Sequence, residues 1–217
     1  MTKPTSSVRV TVIAVGVVYT LALKVSGVSL DSVAKQVVAA LPVLAAGALV
    51  VWDLWLWRIP GLHGLTHRPR IDGLWFATLE PTVESHIPKG GNRGPIPAYL
   101  VIRQTYWSLA IRQYTRESTS DSRASFWERR SGASWETVAF LFDNTPRQRH
   151  QQRSPRHFGA CQLDPTEQTP AEMTGTYFTD RYTRGDMSLT HVDRTRGYAS
   201  FAAAEAYAAG VHAQRSS

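Results

Sequence analysis

The sequence predicts two transmembrane helices followed by an all-β domain, a compact eight-stranded antiparallel barrel that ends in a short helix. Val10–Leu23 and Val37–Trp57 are long apolar stretches, the second interrupted only by Asp53. From Gly73 onward only short alternating segments occur, separated by Gly, Pro, Asn and Asp, as in β-proteins. We therefore divide the chain into residues 1–58, with spans at about 8–28 and 37–57, a linker at 59–71 and a barrel domain at 72–217.

The second apolar stretch has the length of a membrane span. As a helix that rises about 1.5 Å per residue it would be about 31 Å long, and the hydrocarbon core of a bilayer is about 30 Å thick. The first stretch has a signal-peptide alternative, since Lys3 and Arg9 precede its apolar run. Lys24 stands where a cleavage site needs small residues, so a two-helix hairpin fits better.

Basic residues orient the predicted hairpin. Lys24 and Lys35 lie in or beside the loop between the spans, and the other side carries a larger group: Lys3, Arg9, Arg58, Arg68 and Arg70. We expect a multi-pass protein of the inner membrane with both termini and the barrel in the cytoplasm. Trp52, Trp55 and Trp57 would form an interfacial belt. Asp53 would reach toward the headgroups or join helix–helix contacts.

Composition excludes some classes of function. The 217 residues carry a net charge of +7, of which +5 lies after residue 57. This excess suits an anionic surface or a phosphate-bearing ligand, but it lacks the basic density of a protein that binds DNA or RNA polymers. Cys161 is the only cysteine, so no intrachain disulfide is possible and a reduced compartment is the simpler interpretation.

Eight strands are predicted between the linker and the C-terminus. They are Gly73–Glu80, Ala98–Thr105, Trp107–Thr115, Asp121–Glu128, Trp135–Asp143, His157–Asp164, Met173–Asp180 and Asp186–Asp193. Turn residues separate them and no helical segment intervenes, a pattern that favours an up-and-down barrel, with a sandwich as the alternative. Phe201–Ala209 is predicted to be a short C-terminal helix with Ser200 as its N-cap.

The chain lacks recognisable catalytic motifs. His63 and His67 have metal-ligand spacing, but Pro and Gly surround them and no third ligand follows. No nucleophile elbow or paired-cysteine motif is present. We expect no catalytic residue, no metal and no cofactor. An enzyme would need an acid–base pair, such as His157 with Asp180, to meet in one cavity.

Polar side chains inside the strands indicate a ligand site. A barrel of eight strands has room for one small ligand, and Arg, Tyr, Thr and Ser suit phosphates and bases. We predict that one pocket contains Arg103, Thr115, Ser118, Tyr177, Thr179 and Arg181. The alternative is that these side chains face water outside the barrel, because a shift of one residue in register exchanges the two faces.

Gly73-Leu74-Trp75 opens the first strand. In lipocalin-type barrels a Gly-x-Trp at this point plugs the closed end and often stacks on a late arginine. Arg181 or Arg194 would take that place here.

The order of several motifs resembles the two-transmembrane β-barrel effectors of CBASS, the cyclic-oligonucleotide-based antiphage signalling system of bacteria. The similar stretches are Gly73–Trp75, Leu100–Thr105, Thr115–Ser122, Phe142–Pro146, His157–Gly159 and Gly175–Arg181. The resemblance covers nearly the whole chain, including the paired spans.

This resemblance implies that the barrel binds a cyclic dinucleotide made by a cognate nucleotidyltransferase (a CD-NTase) during phage infection. Ligand binding would drive self-association in the inner membrane, membrane disruption and cell death. Two other functions stay open: a membrane-anchored, lipocalin-like carrier of a small apolar ligand, and an enzyme acting on lipid or nucleotide.

Overall fold

The computed structural model describes residues 10, 14–19, 21, 24, 25, 32–59, 61, 62, 66–195 and 197–215. The chain divides into two compact units. The first contains residues up to Thr66 together with Thr105–Ser108, and the second contains His67–Gln104 and the chain from Leu109 onward.

The first unit contains one long helix, α1, at Ser32–Leu54, followed by a 3₁₀ turn at Leu56–Arg58. Among the described residues, Ala40–Arg58 is the one helical stretch that is long and apolar enough to cross a membrane. Much of the predicted first span, at about 8–28, lies outside the described residues, and those described there are helical. The structure therefore supports one of the two predicted spans, and the two-helix hairpin stays a prediction.

Asp53 lies in a different environment from the predicted one. Its side chain is buried within the first unit, and its carboxylate accepts a hydrogen bond from the backbone N–H of Trp107 at 3.1 Å. Its carbonyl oxygen accepts hydrogen bonds from the Tyr106 backbone N–H at 3.1 Å and from Trp57 Nε1 at 3.0 Å. Because protein donors satisfy this residue, it does not need to reach the headgroups.

The second unit contains eight strands and a helix. The strands are β1 (Gly73–Pro81), β2 (Ile96–Gln104), β3 (Leu109–Thr115), β4 (Ser118–Glu128), β5 (Thr137–Pro146), β6 (His157–Pro165), β7 (Glu172–Thr179) and β8 (Arg184–Asp193). The helix is α2, at Phe201–Arg215. All eight predicted strands are present, with ends displaced by up to three residues.

Each strand pairs antiparallel with the next, and β8 pairs with β1 to close the barrel. This confirms the predicted barrel and excludes the sandwich. Side chains alternate between the interior and the outer wall because the pleat has a period of two residues. The interior core consists mainly of apolar side chains, among them Trp75, Leu100, Ile102, Val138, Phe140, Leu163, Met173, Met187 and Leu189.

Helix α2 covers part of the outer wall. Its buried residues Phe201, Ala204 and Ala208 belong to an apolar cluster with side chains of four strands, namely Leu74, Tyr99, Val101, Tyr114 and Val192. Ser200 caps the helix as predicted, since its Oγ accepts a hydrogen bond from the Ala203 N–H at 3.2 Å. The helix extends six residues beyond the predicted end at Ala209.

Trp75 plugs one end of the barrel, as predicted. It is fully buried, and its Nε1 donates to the carbonyl oxygen of Ile71 at 2.8 Å. The ring of His191 meets it edge-on, with centroids 5.0 Å apart. Arg194 lies at this end and donates to the Asp72 carbonyl oxygen at 2.6 Å. Arg181 lies beyond the opposite ends of the strands, so it cannot serve as the predicted stacking arginine.

Candidate functional site

The end of the barrel opposite Trp75 is open and contains a cavity of about 270 Å³. Its walls are the ends of the strands at this mouth, together with the loops that follow β1 and β5. The polar and aromatic residues in the lining include Gln113, Thr115, Arg116, Glu117, Ser118, Ser120, Phe142, Asn144, Arg153, Ser154, His157, Tyr177, Thr179 and Arg181. Apolar side chains complete the lining, among them Leu79, Ile87 and Ile96.

Five of the six residues predicted to form a pocket line this cavity: Thr115, Ser118, Tyr177, Thr179 and Arg181. The sixth, Arg103, does not. Its β2 neighbours Ile102 and Gln104 are buried, whereas Arg103 is exposed. It lies on the outer wall beside Val101 and Arg112, in a separate shallow groove. The structure does not bring Arg103 together with the other five, because consecutive residues of a strand face opposite sides.

Thr115 and Ser118 shape the turn between β3 and β4. Thr115 Oγ1 accepts hydrogen bonds from the N–H groups of Glu117 and Ser118 at 3.2 and 2.9 Å. Asn144, from the neighbouring strand β5, donates through Nδ2 to Ser118 Oγ at 2.9 Å and to Ser120 Oγ at 2.8 Å. This network holds the β3, β4 and β5 ends together at the cavity wall.

Three arginines line the mouth, and they differ in their partners. Arg116 pairs with Glu205 of helix α2 at 3.0 Å. Arg153 pairs with Glu117 at 2.6 Å and also donates to the carbonyl oxygen of Gly90 at 3.0 Å, which links the two mouth loops.

Arg181 donates to Ser154 Oγ at 2.5 Å. Among the described residues no carboxylate lies within ion-pairing distance of it. Burial lowers the pKa of Arg181, but an arginine remains charged under all ordinary conditions. Arg181 is therefore the cavity arginine whose charge is least neutralised.

The cavity also contains two uncharged ring side chains. Burial lowers the pKa of His157, so the ring is neutral near pH 7. Its Nδ1 lies 3.0 Å from the carbonyl oxygen of Pro155, which can only accept. Nδ1 therefore carries the proton, and Nε2 is left as an acceptor. Burial raises the pKa of Tyr177 to about 12, so its hydroxyl also stays protonated.

His157 and Asp180 do not form the acid–base pair that the sequence suggested as an example. The His157 Nδ1 is engaged by Pro155, and the Asp180 carboxylate accepts a hydrogen bond from the backbone N–H of Phe158 at 3.2 Å. Asp180 also lies outside the lining of the cavity. The arrangement is suited to holding a ligand through charge, hydrogen bonds and ring contacts.

The lining also contains residues outside the predicted six, among them Phe142, Asn144, Arg153 and His157, the last of which the sequence suggested only as an enzyme residue. Phe142 lies inside the predicted fifth strand, and Asn144 continues the same inward alternation one residue beyond the predicted end of that strand. The Phe142 ring lies against Gly159 of β6, where any side chain would overlap it. Arg153 comes from a loop and left no periodic signal.

Comparison with known protein families gives a match for this chain. The model of one family, described as Cap15, cyclic dinucleotide receptor domain, matches residues 67–191. This is more than half of the chain, and it includes all of strands β1 to β7 and most of β8. No curated protein matches the chain. The resemblance stated from the sequence motifs is thus confirmed: the chain belongs to the Cap15 cyclic dinucleotide receptor domain family.

Proposed function

We propose that this protein is a CBASS effector whose barrel mouth binds a cyclic dinucleotide. The observation that carries the proposal is the cavity at the open end, lined by Arg181, Tyr177 and an amide–serine network, in a chain of the cyclic dinucleotide receptor family. A cyclic dinucleotide presents two phosphates, two ribose units and two bases. The cavity offers a chemical partner for each of these groups.

Arg181 is the proposed phosphate ligand. Its guanidinium is held by Ser154 and has no ion pair among the described residues, so a phosphate does not have to displace a carboxylate. Charge-assisted hydrogen bonds of this kind are roughly twice as strong as neutral ones. Arg153, which directly precedes the Ser154 that holds Arg181, would supply a second contact if its pair with Glu117 opens.

The rings and hydroxyls are the proposed base and sugar ligands. Phe142 and Tyr177 offer apolar faces on which a base can stack. His157 Nε2 offers an acceptor for an amino or hydroxyl group, because the ring is neutral with its proton on Nδ1. The charged arginine and the amide–serine network in the lining favour a phosphate-bearing ligand over the apolar ligand of the alternative carrier.

Titration calorimetry on the full-length protein in lipid nanodiscs tests the site. The probes are cyclic di-AMP, cyclic di-GMP, cyclic GMP–AMP and cyclic UMP–AMP. For the probe that binds, Arg181→Ala should weaken affinity about 10- to 150-fold, since hydrogen bonds to charged groups contribute about 1.5–3 kcal/mol. Arg103→Ala is the matched control, and we expect it to bind as the wild type does. Equal affinity of Arg181→Ala and the wild type would place the ligand elsewhere.

The membrane output is the second part of the proposal. Ligand binding drives self-association in the inner membrane, and the associated transmembrane segments damage the bilayer and kill the infected cell. The apolar helical stretch at Ala40–Arg58 supports membrane insertion. A ligand shifts assembly only if it binds the assembled form more tightly than the separate one. Dye release from vesicles that contain the protein, with and without the bound probe, measures this output.

A further inference from the structure

The outer wall of strands β5 to β7 carries an uncovered apolar patch. Leu141, Phe158 and Phe178 point outward from these strands with 49%, 51% and 63% of their surfaces exposed. Leu141 pairs with Ala160, and Ala160 pairs with Phe178, so Leu141, Ala160 and Phe178 form one row across the wall. Phe158 follows in the next outward row. A contiguous exposed patch of this kind commonly marks an interaction site.

Helix α2 covers the outward apolar residues on one part of the barrel wall. On strands β1 to β3 and at Val192 they are buried beneath helix α2. No described segment covers Leu141, Phe158 and Phe178 in the same way, as their exposed fractions show.

Charges beside the patch indicate what covers it. On one side of Phe158 in its row lies Asp143, which pairs with both Arg123 and Arg156, so that this cluster is net positive. On the other side lies the exposed Asp180, directly after the end of β7, and its N–H donates to the Phe158 carbonyl oxygen. The row is therefore positive on one flank of Phe158 and negative on the other.

We propose that this patch is a self-association interface, and that its occupant is the same patch of a second copy of this chain. In an isologous contact, a two-fold axis that runs along the strands brings each flank against the opposite flank of its partner. The positive cluster of one copy then meets Asp180 of the partner subunit. Like charges are kept apart, and the aromatic side chains are buried between the copies.

The row of Leu141, Ala160 and Phe178 is complementary in shape to its own copy across the same two-fold axis. Ala160, the small residue in the middle, lies at the axis, and the larger Leu141 and Phe178 lie on either side of it. Leu141 of one copy therefore packs against Phe178 of the partner subunit. A small residue at the centre lets the two walls approach closely enough for the larger ones to meet.

The patch lies on the reverse side of the strands that line the cavity. Phe158 follows the cavity residue His157, and Phe178 lies between Tyr177 and Thr179, which also line it. Resting on the proposed function, we expect that a ligand which fixes these strand ends from inside also fixes the positions of the outward aromatic side chains. Association and binding are measured separately below, so that either one can fail alone.

Cysteine crosslinking of the full chain in lipid vesicles tests the interface. Cys161 is buried, and burial raises the pKa of its thiol, so it is replaced by alanine to leave a background without thiols. In that background Ala160→Cys should give a disulfide-linked dimer on mild oxidation, since a two-fold axis through this position brings the two cysteines together. Ala202→Cys, on an exposed part of helix α2, is the control that should stay monomeric.

A second pair of variants distinguishes this interface from non-specific hydrophobic association. Phe178→Glu should lower the Ala160→Cys crosslinked fraction about tenfold, since centrally placed aromatic side chains dominate interface energies. Val83→Glu changes a residue that is 93% exposed outside the patch and should leave crosslinking unchanged. Binding of the four cyclic dinucleotide probes is recorded for every variant.

If a probe binds but Ala160→Cys crosslinks no better than Ala202→Cys, the interface is overturned and the receptor function stands. Specific crosslinking without binding of any probe supports the interface and contradicts the proposed ligand. Loss of crosslinking in Val83→Glu as well as Phe178→Glu would also overturn it, because the patch would then have no special role.

Discussion

Glu117 is an acidic side chain in a cavity proposed to bind an anion, and its carboxylate pairs with Arg153 at 2.6 Å. A ligand phosphate that approaches Arg153 has to displace this carboxylate and is repelled by it. At the proposed site we therefore expect Glu117 to oppose binding of a phosphate, in contrast to the arginines around it.

We predict that Glu117→Gln strengthens binding of the cyclic dinucleotide up to about fivefold. Both partners of the pair are partly exposed, and exposed ion pairs contribute about 0.2–1 kcal/mol. Calorimetry at low and high salt measures the change, which salt should reduce. Glu136→Gln, which releases Arg68 away from the cavity, is the control. Weaker binding in Glu117→Gln would mean that this carboxylate contacts the ligand favourably.

Asp143 is a nearly buried carboxylate that accepts hydrogen bonds from two arginines. The Arg156 contact is the larger of the influences that lower its pKa, and Arg123 adds to it. An aspartate in the unfolded chain has a pKa of about 3.9. Because the folded pKa is lower, the stability that this group contributes is present above about pH 4 and is lost as the pH falls toward the folded pKa.

We predict that wild-type protein loses more free energy of unfolding than Asp143→Asn when the pH is lowered from 7 to 3. The asparagine variant should be less stable at pH 7, because its uncharged amide no longer compensates the arginine charges. Urea unfolding in one detergent at both pH values, followed by near-ultraviolet circular dichroism, measures the difference. Parallel losses in the two proteins would show that Asp143 does not drive the acid sensitivity.

At the scale of elements, helix α2 depends on a few buried side chains. Phe201 has only 4% of its surface exposed. Its ring meets Tyr99 edge-on with centroids 5.3 Å apart, and the Arg116 guanidinium lies 5.5 Å from its centre. Since Arg116 also lines the cavity, this helix contributes to the position of a mouth residue.

We predict that Phe201→Ala costs about 3–5 kcal/mol of stability, the usual range for removing a buried aromatic ring. Ala202→Ser, one residue later on the exposed face, should change stability by no more than about 0.5 kcal/mol. Thermal or urea unfolding of the two variants in parallel provides the measurement. Similar stabilities would mean that the barrel does not need α2 as its outer cover.

At the scale of the whole molecule, the chain consists of two compact units with different chemistry. The first contains the apolar helix, and the second contains the barrel and its cavity. Within the first, Asp53 is joined by hydrogen bonds to Tyr106 and Trp107, residues of the loop between β2 and β3.

We predict that a fragment of residues 59–217 binds the cyclic dinucleotide but does not harm cells, whereas the full chain does. The transmembrane segments carry the toxic output in this proposal, and the barrel only senses the ligand. Growth of cells that express each form, with and without the cognate nucleotidyltransferase, measures toxicity, and calorimetry verifies that the fragment binds. A fragment that kills cells in the presence of the signal would place the effector chemistry in the barrel.

Much of the fold followed from local patterns. Alternation with a period of two residues identified all eight strands, and turn residues separated them. Ser200 before the alanine-rich segment identified the start of α2. These features depend on residues close together in the chain, so their physical causes are visible in the sequence. Thr115, Ser118, Tyr177, Thr179 and Arg181 were predicted together because they cluster in the motifs that resemble the CBASS effectors. In the structure, closure of the barrel brings them to one cavity.

Only the tertiary structure decided which face of each strand is inside. Arg103 and Thr115 are both polar residues of paired strands, yet closure of the barrel turns Arg103 outward and Thr115 toward the cavity. Alternation establishes that neighbours face opposite sides, but the side that becomes the interior depends on how all eight strands pair. Asp53 and Trp107 are 54 positions apart, and Arg153 reaches the mouth from a loop. Such contacts arise from chain closure over long separations, and therefore local sequence alone could not predict them.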